Sequence, residues 1–116
     1  MTSRITVALI AEPAKLSFAR LDDFMVGVTV HNTGAQVIDP QLNYSELKVN
    51  GVVAPAWGMA LMNSGHETRW AALPPGQSVT GKWPLAHELF PQPGDYQLVL
   101  TVSGVASQPI DVSVTP

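Results

Sequence analysis

The chain has 116 residues, 46% of them apolar and 13% charged, with a formal net charge of −3 at pH 7 and no cysteine. A chain of that length suits one domain and can bury roughly two-thirds of its unfolded surface; so apolar a composition with so few charges also excludes a disordered chain. The six Lys and Arg are scattered and make no basic face to displace counterions from nucleic acid, and disulfides, thiolate chemistry and cysteine-bound metal are excluded.

The start, MTSRITVALIAEP, has one arginine, a short apolar run and acidic Glu12 close behind. It reads as a strand rather than a signal peptide, so a cytoplasmic location is expected. No apolar run approaches the ~20 residues of a spanning helix, and no membrane span is expected. Ile5, Val7 and Leu9 alternate with Thr6, Ala8 and Ile10. In DFMVGVTVHN, Phe24, Val26, Val28 and Val30 share one face, and Met25, Gly27, Thr29 and His31 the other. Period two is the mark of a strand with one face in a core. Asn32-Thr33-Gly34 reads as a turn, because Asn and Gly tolerate positive φ. LKVNGVVA reads as a hairpin, with Asn50-Gly51 supplying a type I′ turn.

Next comes WGMALMNSGHETRW, residues 57–70, which holds two tryptophans, two methionines and a histidine in fourteen positions. Trp57 and Trp70 read as anchors in the core or its rim, since large aromatics are mostly buried. Between them, Gly58 to Glu67 reads as an exposed excursion between strands. Such loops on a rigid scaffold are where sandwich domains carry function.

The C-terminal third alternates again. LPPGQ, residues 73–77, is a turn, and SVTGKWPL a strand with Val79, Gly81 and Trp83 on one face. AHELF, residues 86–90, allows one helical turn at most. PGDYQLVLTV points Tyr96, Leu98, Leu100 and Val102 inward, and QPIDVSV does the same with Ile110, Val112 and Val114. No repeat, low-complexity tract or linker interrupts the chain, so residues 1–116 are expected to form a single domain. About seven strands with turns every eight to twelve residues predict an all-β fold, an antiparallel two-sheet sandwich. A strand with one apolar face must bury it against a second sheet. Gly94-Asp95-Tyr96, ahead of a long strand, resembles the tyrosine corner of immunoglobulin-like folds.

Three stretches, FMVGVTVHNTG, LPPGQSVTGKWPL and PGDYQLVLTV, together resemble the bacterial intracellular proteinase inhibitor (BsuPI-like) domains, over roughly residues 22–103. The resemblance implies an immunoglobulin-like sandwich and a proteinase-inhibitor-like role. Residues 40–72 depart most from the family's pattern.

Catalysis needs a nucleophile with its base, paired carboxylates or a metal cluster. His31, His66 and His87 fall in no HExxH-type arrangement, and no serine stands in GxSxG. Asp22, Asp23 and Glu12 could face one end of the sandwich, where such acids are usually solvated. No enzyme and no catalytic residue is expected. Met59, Met62 and His66 offer ligands that suit copper(I), but their spacing matches no copper motif and methionine mostly fills gaps. No metal and no cofactor is expected. The expected function is a non-enzymatic interaction domain whose partner is another protein. Its binding residues are Trp57, Met59, Leu61 and Met62, with His66 at the rim. The alternative is a carbohydrate- or small-ligand-binding module with an aromatic platform drawn from Tyr44, Trp57, Trp70 and Trp83.

Overall fold

A computed structural model describes residues 4–63 and 70–116. In chain order, β1 is Ile5–Glu12, β2 Lys15–Ser17, β3 Met25–Asn32, β4 Glu46–Val49 and β5 Val52–Val53. Helix α1, Pro55–Asn63, follows β5. Then come β6, Ser78–Trp83; the short helix α2, Ala86–Leu89; β7, Gly94–Val102; β8, Val105–Ala106; and β9, Ile110–Thr115. Two sheets result. One is antiparallel in the order β1-β3-β6; the other runs β2-β9-β7-β4-β5, with β8 on β7.

The alternation decides which side chains meet between the sheets. Phe24, Val26, Val28 and Val30 are buried from one sheet, and Leu98, Leu100, Val102, Val112 and Val114 from the other. All belong to one cluster. Ile110, expected in that core, is only half-buried, because it opens β9 at the margin of the sheet.

Two short strands escape the sequence pattern. Pro13 has no N–H for a ladder, which stops β1. The chain then crosses to the other sheet, where β2 lies parallel to β9. Strand β8 pairs through Thr101–Ala106 and Val102–Val105. Pairing makes both strands; their own residues carry too little pattern to show.

The turns follow their chemistry with one correction. Asn50 and Gly51 both have positive φ, 51° and 82°, as a type I′ hairpin requires. Gly76 has φ 75°, and Gln77 N–H donates to Pro74 O across that turn. Asn32, however, acts through its side chain and not through a positive φ. It is fully buried. Its Nδ2 donates to Gln36 O (2.8 Å) and Leu73 O (2.9 Å), while its Oδ1 accepts from Gly34 N–H (2.8 Å). One amide thus ties the turn after β3 to the turn before β6, with its polar atoms satisfied.

The tyrosine corner is present. Tyr96 Oη donates to Gln92 O at 2.5 Å, and the ring packs on Phe90 with centroids 4.7 Å apart. Phe90 in turn meets Phe24 edge-on at 5.1 Å. The ring is half-buried, less than expected, because at Tyr96 strand β7 has only β9 beside it, β4 joining from Leu98 onward, and the bond lies near the surface. Tyr96→Phe should therefore cost about 1 kcal/mol, the middle of the range for one hydrogen bond. An unchanged urea midpoint would show that the bond contributes nothing.

Candidate functional site

From Pro55 to Asn63 the segment after the β4–β5 hairpin is a helix rather than the expected excursion, and residues 64–67 of that expected excursion lie outside the described residues. Pro55 stands at its first position, where a fixed φ and a missing N–H suit the helix. From Ala54 to Asn63 no residue is β-branched, and Ala, Leu and Met are good helix formers. The helical period then sorts the side chains. Trp57 and Leu61, four apart, are completely buried, whereas Met59 and Met62, three apart, are 62% and 74% exposed.

Helix α1 packs on β4 and on the 3₁₀ turn at Leu42–Tyr44. It touches both sheets, through β4 of the larger and through the ring of Trp83 of the smaller. The Trp57 ring meets Trp83 of β6 edge-on at 5.2 Å, and Trp83 meets Trp70 edge-on at 5.9 Å. Trp57 Nε1–H donates to Ser45 Oγ (2.9 Å), and that hydroxyl donates to Leu42 O (2.6 Å). Thus the indole is buried with its only polar group satisfied. Gly81 leaves room for the cluster: a Cβ there would stand 2.6 Å from the Trp83 ring.

These placements divide the expected binding residues. Trp57 and Leu61 hold the helix to the core, so neither presents a surface to a partner; a helix must bury one face, and they form it. Met59 and Met62 stand on the outer face. His66 lies outside the described residues. Three further apolar side chains belong to adjoining elements: Tyr44 (81% exposed) on the 3₁₀ turn, and Val52 and Val53 on β5. The two valines carried a readable signal, since a two-residue edge strand cannot bury both of its faces. The tryptophan platform of the carbohydrate alternative does not form. Trp57 and Trp70 are buried and Trp83 half-buried, each against another indole, which leaves Tyr44 alone exposed among the four candidates.

Polar groups elsewhere are engaged in structure. His31 Nδ1 lies 2.7 Å from Ser78 Oγ and Thr29 Oγ1 2.9 Å from Thr80 Oγ1, two cross-strand pairs between β3 and β6. Such pairs stabilise sheet register. His87 Nε2 lies 2.7 Å from Asp22 Oδ1 in an exposed pair, and Asp23 pairs with Arg20. Among the described residues no group of three or more His, Asp or Glu is placed to hold a metal ion. A shallow hollow of about 450 Å³ on the outer face of the larger sheet is lined by Lys15, Asn50, Asp95, Gln97 and Asp111. Its amides are already used: Asn50 Oδ1 accepts from Gln97 N–H, and Gln97 Nε2 reaches Asp111 at 3.4 Å. No helix among the described residues is long and apolar enough to cross a membrane.

No family model and no curated protein matches the chain. Among solved structures it is similar to the CARDB domain of a Pyrococcus furiosus protein, determined in complex with di-metal ions. Identity is 18% and the TM-score 0.56, over 99% of this chain and 98% of that one. A likeness at that identity is one of fold. The order of the sheets, the tyrosine corner and this neighbour agree: the chain folds as an immunoglobulin-like two-sheet β-sandwich.

Proposed function

We propose that the chain is a non-enzymatic interaction domain that docks another protein on the α1 side. Met59 and Met62 form the centre of the contact, and Tyr44, Val52 and Val53 surround it. The observation that carries this reading is the character of α1. It contains no charged side chain, yet it lies at the surface with apolar residues on both its buried and its outer face. A surface helix normally sets polar or charged residues outward. Methionine in that place gives flexible, polarisable contacts, and interfaces are enriched in methionine and aromatics. The likeness of the strand and turn motifs to the bacterial intracellular proteinase inhibitors supports a proteinase as the first partner class to test.

The test is Met59→Asp combined with Met62→Asp. Both side chains are exposed, so each change should alter stability by no more than about 0.5 kcal/mol. Pull-down from a source lysate, with a proteinase assay on the bound fraction, should recover the partner with the wild type and lose it with the double variant. Equal recovery with both proteins would place the contact elsewhere. Recovery of a partner without proteinase activity would retain the interaction reading and remove the inhibitor one.

A further inference from the structure

We propose that two copies of this chain join edge to edge through β1, antiparallel, about a two-fold axis at Ala8. The inference is independent of the α1 surface. It begins with the strands that end the two sheets; β8, off that path on β7, is only two residues long. The larger sheet ends in β2, three residues beginning with Lys15, and β5, two residues. The smaller ends in β6, which carries Lys82 and runs into Pro84, and in β1. Shortness, lysine and proline are the usual means of keeping an edge from pairing. Strand β1 has none of them: it is eight residues long, and from Ile5 to Ala11 it contains no charge, proline or glycine.

The backbone of β1 is set for a second strand. Thr33 N–H donates to Arg4 O, which extends the β1–β3 register by one pair. In an antiparallel ladder alternate residues turn their N–H and C=O to the same side. Arg4, Thr6, Ala8, Ile10 and Glu12 therefore address β3. Ile5, Val7, Leu9 and Ala11 address the other side, where no strand of the described residues is hydrogen-bonded to β1, although β7, β8 and β9 of the larger sheet pass near it.

A second β1 laid antiparallel, with Ala8 opposite Ala8, puts Ile5 opposite Ala11 and Val7 opposite Leu9. The residues whose backbone groups face the edge thus meet one another. The pairs between them are Ala8–Ala8, Thr6–Ile10 and Arg4–Glu12. Alanine stands on the axis, where non-hydrogen-bonded residues approach most closely, at about 4.5 Å between Cα atoms. The strand also carries opposite charges at its two ends on one face. Arg4 and Glu12 are both exposed, and neither has an ion pair among the described residues. Reversing the strand against itself brings each onto the other, at both ends of an isologous contact. The next registers that preserve the faces set Arg4 opposite Ile10 or Ala14 and lose both pairs. Ile5, Leu9 and Ala11 are already buried in the sandwich, so no core side chain has to turn. The two smaller sheets would become one continuous sheet.

Sedimentation velocity over a concentration series reaching about 1 mM tests this, because a strand-edge contact is small and its dimer weak. The wild type should show a concentration-dependent dimer. Ala8→Lys, which opposes two like charges on the axis, should be monomeric. Arg4→Glu should weaken the dimer about tenfold or more by setting glutamate against Glu12 at both ends. Adding Glu12→Arg to it should restore wild-type association. Circular dichroism checks the fold of each variant, and the charge series stands as the test if Ala8→Lys fails to fold. A wild type monomeric throughout, a dimer indifferent to Ala8→Lys or Arg4→Glu, or a charge exchange that fails to restore association would each overturn the proposal. The Met59→Asp, Met62→Asp variant should dimerise normally, which separates this contact from the α1 surface.

Discussion

Val28→Asp should abolish the folded state at 25 °C. Val28 is the middle of β3, the central strand of its sheet, opposite Leu9 on one side and Gly81 on the other. It is 1% exposed and lies among apolar side chains. An aspartate there loses the burial of a valine, about 1.5 kcal/mol or more. It also carries a polar group into an apolar site, at roughly 2–7 kcal/mol even when protonated. Against a total stability of about 5–15 kcal/mol, the sum is enough to empty the native state of a small domain. Loss of amide dispersion in a nitrogen–proton NMR spectrum is the measurement. Thr29→Asp is the control one residue along. Its side chain faces outward, so it should lose only the bond to Thr80 and remain folded. A folded Val28→Asp protein would mean that β3 does not face the core.

Trp57→Ala should be the next most damaging change, with a loss of about 3–5 kcal/mol, the range for removing a large buried aromatic. The indole is fully buried, stacks edge-on against Trp83 and donates to Ser45. Trp57→Phe separates these contributions. It keeps a ring near Trp83 and gives up the hydrogen bond, and Ser45 Oγ still has Leu42 O as its acceptor. The expected loss is about 1–2 kcal/mol, for one bond and some volume. Urea denaturation of both variants gives the comparison. A Trp57→Ala protein within about 1 kcal/mol of the wild type would remove the tryptophan cluster from the core. If Trp57 itself touched a partner, Trp57→Phe would abolish pull-down while the domain stayed folded; the buried position predicts full recovery.

The features legible in the sequence are those whose physics is local. Alternation along β3, β7 and β9 names their buried faces, because a side chain's direction in a strand depends only on its parity. Asn50-Gly51 specifies its hairpin, since few other residues accept positive φ at both positions. Tyr96 announces its corner through Gly94 and the strand that follows. Strands β2 and β8 are different. Three and two residues hold no usable period, and both exist only because β9 and β7, distant in sequence or reversed upon themselves, offer an edge. Asn32 was legible as a turn residue but not as a buried clamp, because its partner Leu73 is 41 positions away.

Helix α1 lies between these cases. Pro55 and the absence of β-branched residues were local signals for a helix, masked by the glycine and the polar run that follow. Its orientation was legible only in part: Trp57 reads as a core anchor, whereas nothing short of the helical period groups Leu61 with it. Trp57 with Leu61, and Met59 with Met62, make two apolar faces on one short helix, and between Leu61 and the methionines hydrophobicity alone does not choose. Tertiary packing chose. Ser45 is placed for the indole N–H, Trp83 of β6 meets the ring edge-on, and Gly81 is open beneath Trp83, so the face carrying Trp57 turns inward. The methionines are left outside as the consequence.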